Sequence, residues 1–453
     1  MVSIACACAR IKSDPLAALD SRLLENICIE MGLEWRRTVL TPPATLACFI
    51  RQVIDGNVSC EAVSQASDGR FTAQGFWAAR QRLALEVIVA YSRRIADAAE
   101  RESDASQASL FHGHRTWHID GSSFSMPDTP ELQEQFGQPG GQKAGCGFPV
   151  AHLLTLFSAA TGLLRETIVS PMRTHDLSGV ARLHDHLLPG DLVIGDCAFG
   201  SYAHFGLLLQ KNLHGLFPAH QARLIDFTSQ RPYSPPGSHR IKGRPASRWI
   251  KSLGKEDQLV EWFRPRDCPS WMTQAEYDAL PKSIIVREIR RTIHRAGFGP
   301  LVITIVTTLL DPEEYPADEL IELQAQRWGI EINLRHLKTT MGLDVLHCKT
   351  VEGVNKELAV FTLVYNLVRL MIMEAANRQC VPVDRISFKS ALHWIRHGDL
   401  SKPMPKLKVN PARPGRIEPR AIKRRHDTYA RLNKPRAVMR EALRNPVESG
   451  AKG

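Results

Sequence analysis

Apolar positions recur at three- and four-residue spacing through "LAALDSRLLENICIEMGLEW", "LACFIRQVIDG" and "FWAARQRLALEVIVAYSRRIADAAERE", which predicts helices over residues 1–110. Within them, "CEAVSQASDGRFTAQGFWAARQRL" reads as a helix, an Asp-Gly turn and a second helix opened by Thr72. That order is compatible with a helix-turn-helix and equally with ordinary helical packing. Near residue 115 the period shortens to two. "RTWHIDGSSFSM" alternates and stops at Pro127, and "AHLLTLFSAATGLLRETIVSPM" holds two apolar runs joined at Thr161-Gly162, a hairpin signal. A helix follows in "DLSGVARLHDHLL", then a buried strand in "DLVIGDCAFG", a helix in "AHFGLLLQKNL" and a strand in "HGLFPA". Strand hairpins followed by alternating helices and strands predict an α/β layer.

Residues 221–300 break that rhythm. They are rich in Pro, Arg and Trp, with short alternating pieces such as "DQLVEWFRP" and "SIIVREIRRTI", and predict a β-rich insertion. "LVITIVTTLL" then returns to the main layer and leads into one long helix over 316–340, with Pro316 at its first turn. "ELAVFTLVYNLVRLMIMEAANRQ" predicts a further, strongly apolar helix. The resulting division is a helical segment 1–110, α/β segments 111–220 and 301–400 flanking the insertion 221–300, and a Pro- and Arg-rich tail 401–453.

Charge singles out the tail. It carries 15 Lys or Arg against 4 Asp or Glu, which accounts for the whole net charge of +11 and leaves residues 1–400 balanced. A separate basic arm points to a polyanionic partner, most simply nucleic acid, or else to a solvated tail without a specific partner. No uninterrupted apolar run approaches the roughly 20 residues of a membrane helix, and the start lacks the features of a signal peptide, so a cytoplasmic protein is expected. The ten cysteines are scattered with no Cys-x2-Cys pair, which argues for buried thiols over a zinc ribbon. The glycine-rich "GQPGGQKAGCG" at 137–147 lacks the Gly-Lys-Ser/Thr ending of a phosphate loop and reads as a mobile loop.

The helix at "QRWGIEINLRHLK" holds the first candidate chemistry. At about 100° per residue with Arg327 at zero, Glu331, Lys338 and Gln324 fall within about 60° of it. Leu323, Ile330, Leu334, Leu337 and Met341 form an apolar stripe directly alongside. The polar stripe borders the buried face, so a carboxylate stands between two cations at the core's edge. An ordinary i,i+4 Arg–Glu pair is the plainer reading. Two further carboxylates favour a site. Asp120 sits within the strand "WHIDGSS", and Asp196 follows "LVIG" at a strand's end, where open α/β sheets bind ligands. Either is also a candidate turn residue or helix cap. Three carboxylates on separate elements suit a pair of hard divalent cations.

These blocks resemble the DDE transposases of bacterial insertion sequences, in the branch that carries Tyr-x2-Arg-x3-Glu-x6-Lys. Arg327, Glu331 and Lys338 match that spacing, while Gln324 stands where the family has Tyr. "IDGSSFSMPDTPE", "DCAFGSY" and "DVLHCKTVEGVNKELAVFTLVYNLVRLM" look like the family's other blocks, in the same order, over roughly residues 115–400. The resemblance implies an α/β fold with a ribonuclease-H-like catalytic core interrupted by the β-rich insertion, a helical N-terminal domain that recognises DNA ends, and the basic tail. It implies that Asp120, Asp196 and Glu331 are catalytic and bind two Mg²⁺ ions, with Mn²⁺ able to substitute. It implies that Arg327, Lys338 and Gln324 contact DNA, that double-stranded DNA is bound at terminal inverted repeats and at the target, and that two protomers pair two ends. A base-stacking Trp in the insertion would be Trp249, Trp262 or Trp271. A catalytically idle DNA-binding repressor, or a structure-selective nuclease on the same core, remain the alternatives.

Overall fold

The computed structural model describes residues 21–36, 38–104, 110–174, 176–237, 241–294, 300–398, 404–411 and 434–444. Cys6, Cys8 and the Pro- and Arg-rich stretch 412–433 lie outside them.

The N-terminal helices are α1 (Ser21–Glu30), α2 (Pro42–Ile54), α3 (Cys60–Gln65), α4 (Ala73–Arg82) and α5 (Leu85–Asp104). The single helical pattern over 76–102 is therefore two helices, parted where Leu83 turns to an extended ψ of 114°. Side-chain oxygens of Thr41, Ser59 and Thr72 cap α2, α3 and α4, satisfying amides that the first helical turn leaves unpaired. Asp68 and Gly69, both at positive φ, make the turn between α3 and α4.

Next come β1 (Thr116–Ser125), α6 (Pro130–Phe136), β2 (Val150–Ser158), β3 (Leu164–Pro171), α7 (Val180–His184), β4 (Leu192–Ile194), α8 (Tyr202–Gln210) and β5 (His214–Pro218). The insertion supplies β6 (Arg248–Gly254), β7 (Asp257–Phe263), α9 (Gln274–Ala279) and β8 (Ser283–Ile293), and β9 (Leu301–Thr307) follows. All nine strands form one sheet in the order β3-β2-β1-β4-β5-β9-β8-β7-β6. β1, β2 and β3 are antiparallel neighbours, whereas β4 and β5 run parallel to β1. β9 rejoins the layer as expected, antiparallel to β5, and β8, β7 and β6 add to it in turn. The insertion strands thus prolong the central sheet.

Residues 316–340 depart from the expected continuous helix. They form α10 (Ala317–Gln326), α11 (Trp328–Arg335) and a π-helical turn over His336–Thr340. At the break, Arg327 N–H bonds to the Gln324 carbonyl and Ile330 N–H to that of Arg327, both reaching back three residues. Beyond lie α12 (Val351–Gln379), α13 (Phe388–His397) and α14 (Arg436–Arg444).

Alternation along the strands sends side chains to two cores. Leu192, Ile194, Leu216 and Ile305 meet Leu320, Ile321 and Leu323 of α10 on one face. Trp117, Val193, Phe217 and Val306 meet Leu183, Phe205 and Leu208 of α7 and α8 on the other. A third core surrounds α12 and joins residues from Leu24 to Leu407. Among the described residues α12 is the one helix long and apolar enough to cross a membrane, and 78% of its most apolar window is buried inside the protein. It is the core helix of this third cluster.

Candidate active site

β1 and β4 place the two aspartates. Their parallel register sets Trp117 beside Val193 and His118 beside Ile194. The ladder stops there, two residues before Asp120 and two before Asp196, so both aspartates follow the paired segment at the same end of neighbouring strands. On the far side of β1, Asp120 faces Thr155 of β2, whose hydroxyl donates to the Asp120 carbonyl at 2.9 Å. The Asp120 carboxylate accepts from Gly121 N–H at 2.9 Å. β4 ends at Ile194, and Asp196 caps the 3-10 turn Cys197–Phe199 by accepting from Ala198 N–H at 2.8 Å. The cap weighed for Asp196 from sequence is real, and it fixes the rotamer of that carboxylate.

Glu331 lies in the first turn of α11, with its side chain 46% exposed. Arg327, four residues earlier and 16% exposed, donates to it at 3.3 Å. The i,i+4 pair therefore forms. It is worth only a few tenths of a kcal/mol at so exposed a carboxylate. Electrostatics links the three acids more firmly. The Asp120 carboxyl is pushed up to about 6, mainly by burial and further by the negative charges of Asp196 and Glu331, while Gly121 N–H and Arg327 oppose the rise.

The remaining candidates are spread more widely. Lys338 sits half-buried in the π-helical turn, its amine pushed down by burial, with Asp344 acting the other way. Gln324, expected to face DNA, is 5% exposed and donates from Nε2 to the Gly195 carbonyl at 3.1 Å. It ties α10 to the residue before Asp196, and the reason is its place on the sheet-facing side of α10 beside Leu320 and Leu323. Among the described residues its Oε1 has no hydrogen-bond partner, nor has Nε2 of buried His118 two residues before Asp120. Burial, with Arg327 nearby, pushes His118 down to about 4, so the ring is neutral.

Two buried histidines that the sequence pattern does not single out stand behind the Asp196 turn. His204 of α8 bonds through Nδ1 to the Phe199 carbonyl at 2.8 Å, and its Nε2 meets Nε2 of His184 at 3.0 Å. Both are buried and neutral. The one signal in the sequence is a His in an apolar helix directly after "DCAFG". Of the tryptophans, Trp262 is core: 1% exposed, bonded to Glu288 at 3.0 Å and covered by the Arg223 guanidinium. Trp271 is half-buried against a small core with Tyr277 and Leu280, and the buried Trp249 Nε1 lacks a hydrogen-bond partner among the described residues.

Three carboxylates without nitrogen or sulfur donors have the chemistry a hard divalent cation needs. A cation there would relieve the repulsion that raises Asp120. Among the described residues, no three His, Cys, Asp or Glu side chains already stand close enough to enclose an ion.

A family model described as "Transposase DDE domain" matches residues 112–367, more than half of the chain. The chain belongs to the DDE transposase family. The chain is 24% identical to transposase InsG for insertion sequence element IS4 of Escherichia coli over 309 residues, 66% of this chain. The match spans 63% of that relative's own length. A solved piggyBac transposase synaptic complex with hairpin DNA aligns with 87% of this family member and 80% of its own chain, at 10% identity. The TM-score of that match is 0.40.

Proposed function

We propose that this DDE transposase cleaves DNA at the terminal repeats of an insertion sequence and transfers the freed 3′ ends to target DNA, in the cytoplasm of a bacterium and as a pair of protomers on paired ends. The observation that supports the reading is that the half-buried Asp120 carboxyl, on a strand paired with the one that ends before Asp196, feels the negative charges of both Asp196 and Glu331, acids distant in sequence. The strand order β3-β2-β1-β4-β5, with three antiparallel strands and then two parallel ones, supports a ribonuclease-H-like core. The insertion enters that core between the second Asp and the Glu.

Asp120, Asp196 and Glu331 would hold two Mg²⁺ ions, which when bound activate the attacking oxygen and stabilise the leaving one. The protein's own groups do the positioning. The 3-10 turn fixes Asp196, with Gln324 holding the Gly195 carbonyl in front of it and His204 the Phe199 carbonyl behind. Asp120 is rigid on a central strand. Glu331 is the exposed member, paired with Arg327, so a carboxylate taken up by a cation would free that guanidinium for a phosphate. Lys338, half-buried with Asp344 nearby, is suited to a second phosphate.

The test is cleavage of labelled DNA carrying the element's own ends, in Mg²⁺, by wild type and by Glu331→Gln, which keeps the side chain's shape and removes its charge. The expected result is specific nicking by wild type, background nicking by the variant and equal end binding by both. End binding without cleavage by either protein would indicate the idle repressor, and cutting of flaps or junctions without regard to the repeat would indicate a structure-selective nuclease.

A further inference from the structure

The sheet terminates at β6, whose outer edge pairs with no strand among the described residues. From Phe227 to Lys255 the chain carries seven Lys or Arg and no Asp or Glu. One of the seven is structural. Arg231 is buried and donates to the Asp226 carbonyl at 2.7 Å and to the Ser247 carbonyl and hydroxyl at 2.7 and 2.9 Å. It clamps the preceding loop to the start of β6, so the rim is a mounted surface. Arg248 pairs with Glu261 at 2.5 Å. The acids flanking the hairpin are also engaged: Asp257 with Arg287 at 2.6 Å, Glu256 with Arg290 at 3.7 Å. Of the other five, Arg240 lies outside the described residues, and Lys242, Arg244, Lys251 and Lys255 are exposed and without an acidic partner among the described residues.

Edge strands often carry lysine merely to discourage pairing with other chains, and the two register shifts in β6 serve the same end. A second copy of this chain is a poor occupant for the rim. Pairing β6 with β6 would set cations opposite cations on a bulged ladder. Four unpaired cations in a stretch free of acids match a polyanion. Five interstrand steps separate β4, which ends at Asp196, from β6, a span of about 24 Å. That is about seven base pairs along B-form DNA.

Resting on the transposase reading, we infer that the β6 rim is a second phosphate-binding surface that grips duplex DNA about seven base pairs from the scissile bond. It adds affinity and register without reading bases.

The experiment compares full-length wild type with a variant carrying Lys242→Gln, Arg244→Gln, Lys251→Gln and Lys255→Gln. Binding to a labelled random-sequence duplex is measured across salt concentration, and phosphate-ethylation interference is mapped on the element's own end. The expected result is a log-log salt slope shallower by about 3 to 4 in the variant, at about 0.9 per lost contact. Interference about seven base pairs from the cut should vanish while that at the cut persists. A variant with Arg in place of each Lys should keep the wild-type slope. An unchanged slope and map overturn the inference, and do so in favour of edge protection if the Gln variant also self-associates. Wild type that binds no DNA at any salt concentration overturns both this inference and the transposase reading.

Discussion

Asp120 is the residue whose surroundings have the plainest thermodynamic consequence. Its folded-state pKa lies at about 6 against an ordinary 3.8. The native protein therefore holds this proton more tightly than the unfolded chain does. The stabilisation is complete below about pH 3.8, is lost as pH rises through about 6, and is flat above. Two units correspond to about 3 kcal/mol. In the absence of divalent metal, Asp120→Asn should be more stable than wild type at neutral pH, with the gap closing towards pH 4 and narrowing when Mg²⁺ is added to wild type. Urea midpoints across pH check this, and parallel curves would refute the coupling. Gln324 gives a second prediction. Gln324→Met preserves volume and removes both the satisfied Nε2 and the unsatisfied Oε1, so stability should change by no more than about 1 kcal/mol. Cleavage should slow while end affinity holds, because the Gly195 carbonyl before Asp196 is no longer tethered. Unchanged cleavage would mean that the tether has no positioning role.

Two glycines show how elements differ in tolerance. Gly162 turns the β2–β3 hairpin at φ +69°, and an added Cβ would lie 2.3 Å from Arg369 Nη2. That guanidinium is itself held by the Thr161 carbonyl. Gly162→Ala should cost about 1–2 kcal/mol from the backbone alone, and more from the displaced arginine. Gly329 sits in the first turn of α11, and an added Cβ meets nothing within 4 Å. Gly329→Ala should stabilise the protein by about 0.5–1 kcal/mol by stiffening the chain after the α10–α11 break. Chemical denaturation of the pair gives opposite signs if the break is a matter of local backbone freedom. The break matters because the segment serves two cores: Leu323 packs against the sheet with α10, whereas Ile330, Leu334 and Leu337 pack around α12.

At the scale of the whole molecule, the N-terminal helices and α12 share one apolar core. Buried Glu357 of α12 pins it by accepting from Asn57 Nδ2 at 2.5 Å, His347 N–H at 3.0 Å and Cys348 N–H at 2.8 Å. Arg80 of α4 reaches the Cys348 sulfur at 3.1 Å from the other side. Glu357→Gln weakens charge-assisted bonds on both sides of this seam and should lower stability by about 1.5–3 kcal/mol. Hydrogen exchange should show the loss in α2 and α12 alike, and a loss confined to α12 would mean that the helical layer opens independently. At the other end of the chain, Arg436 fastens α14 to the glycine-rich loop through the Gly147 carbonyl at 2.9 Å and the Phe148 ring. That loop had offered the sequence only a rejected phosphate-binding motif.

Hydrophobic period was enough to mark the hairpin at Thr161-Gly162, the strands 283–293 and 301–307, and the buried helix through 357–379, because which face of an element is apolar is written locally. The three acids of the proposed site were singled out from the sequence as well, through the spacing of Arg327, Glu331 and Lys338 and the blocks around Asp120 and Asp196. Which strands lie side by side is a different kind of fact. The parallel pairing of β1 with β4, the strand that ends just before Asp196, the joining of the insertion strands to the central sheet, and the burial of Gln324 depend on partners far away in sequence. Even the helix at 316–340, regular by its pattern, is divided at Arg327 where its two halves pack on different cores. Local pattern decides which side chains avoid water; only the packed fold decides what they meet there.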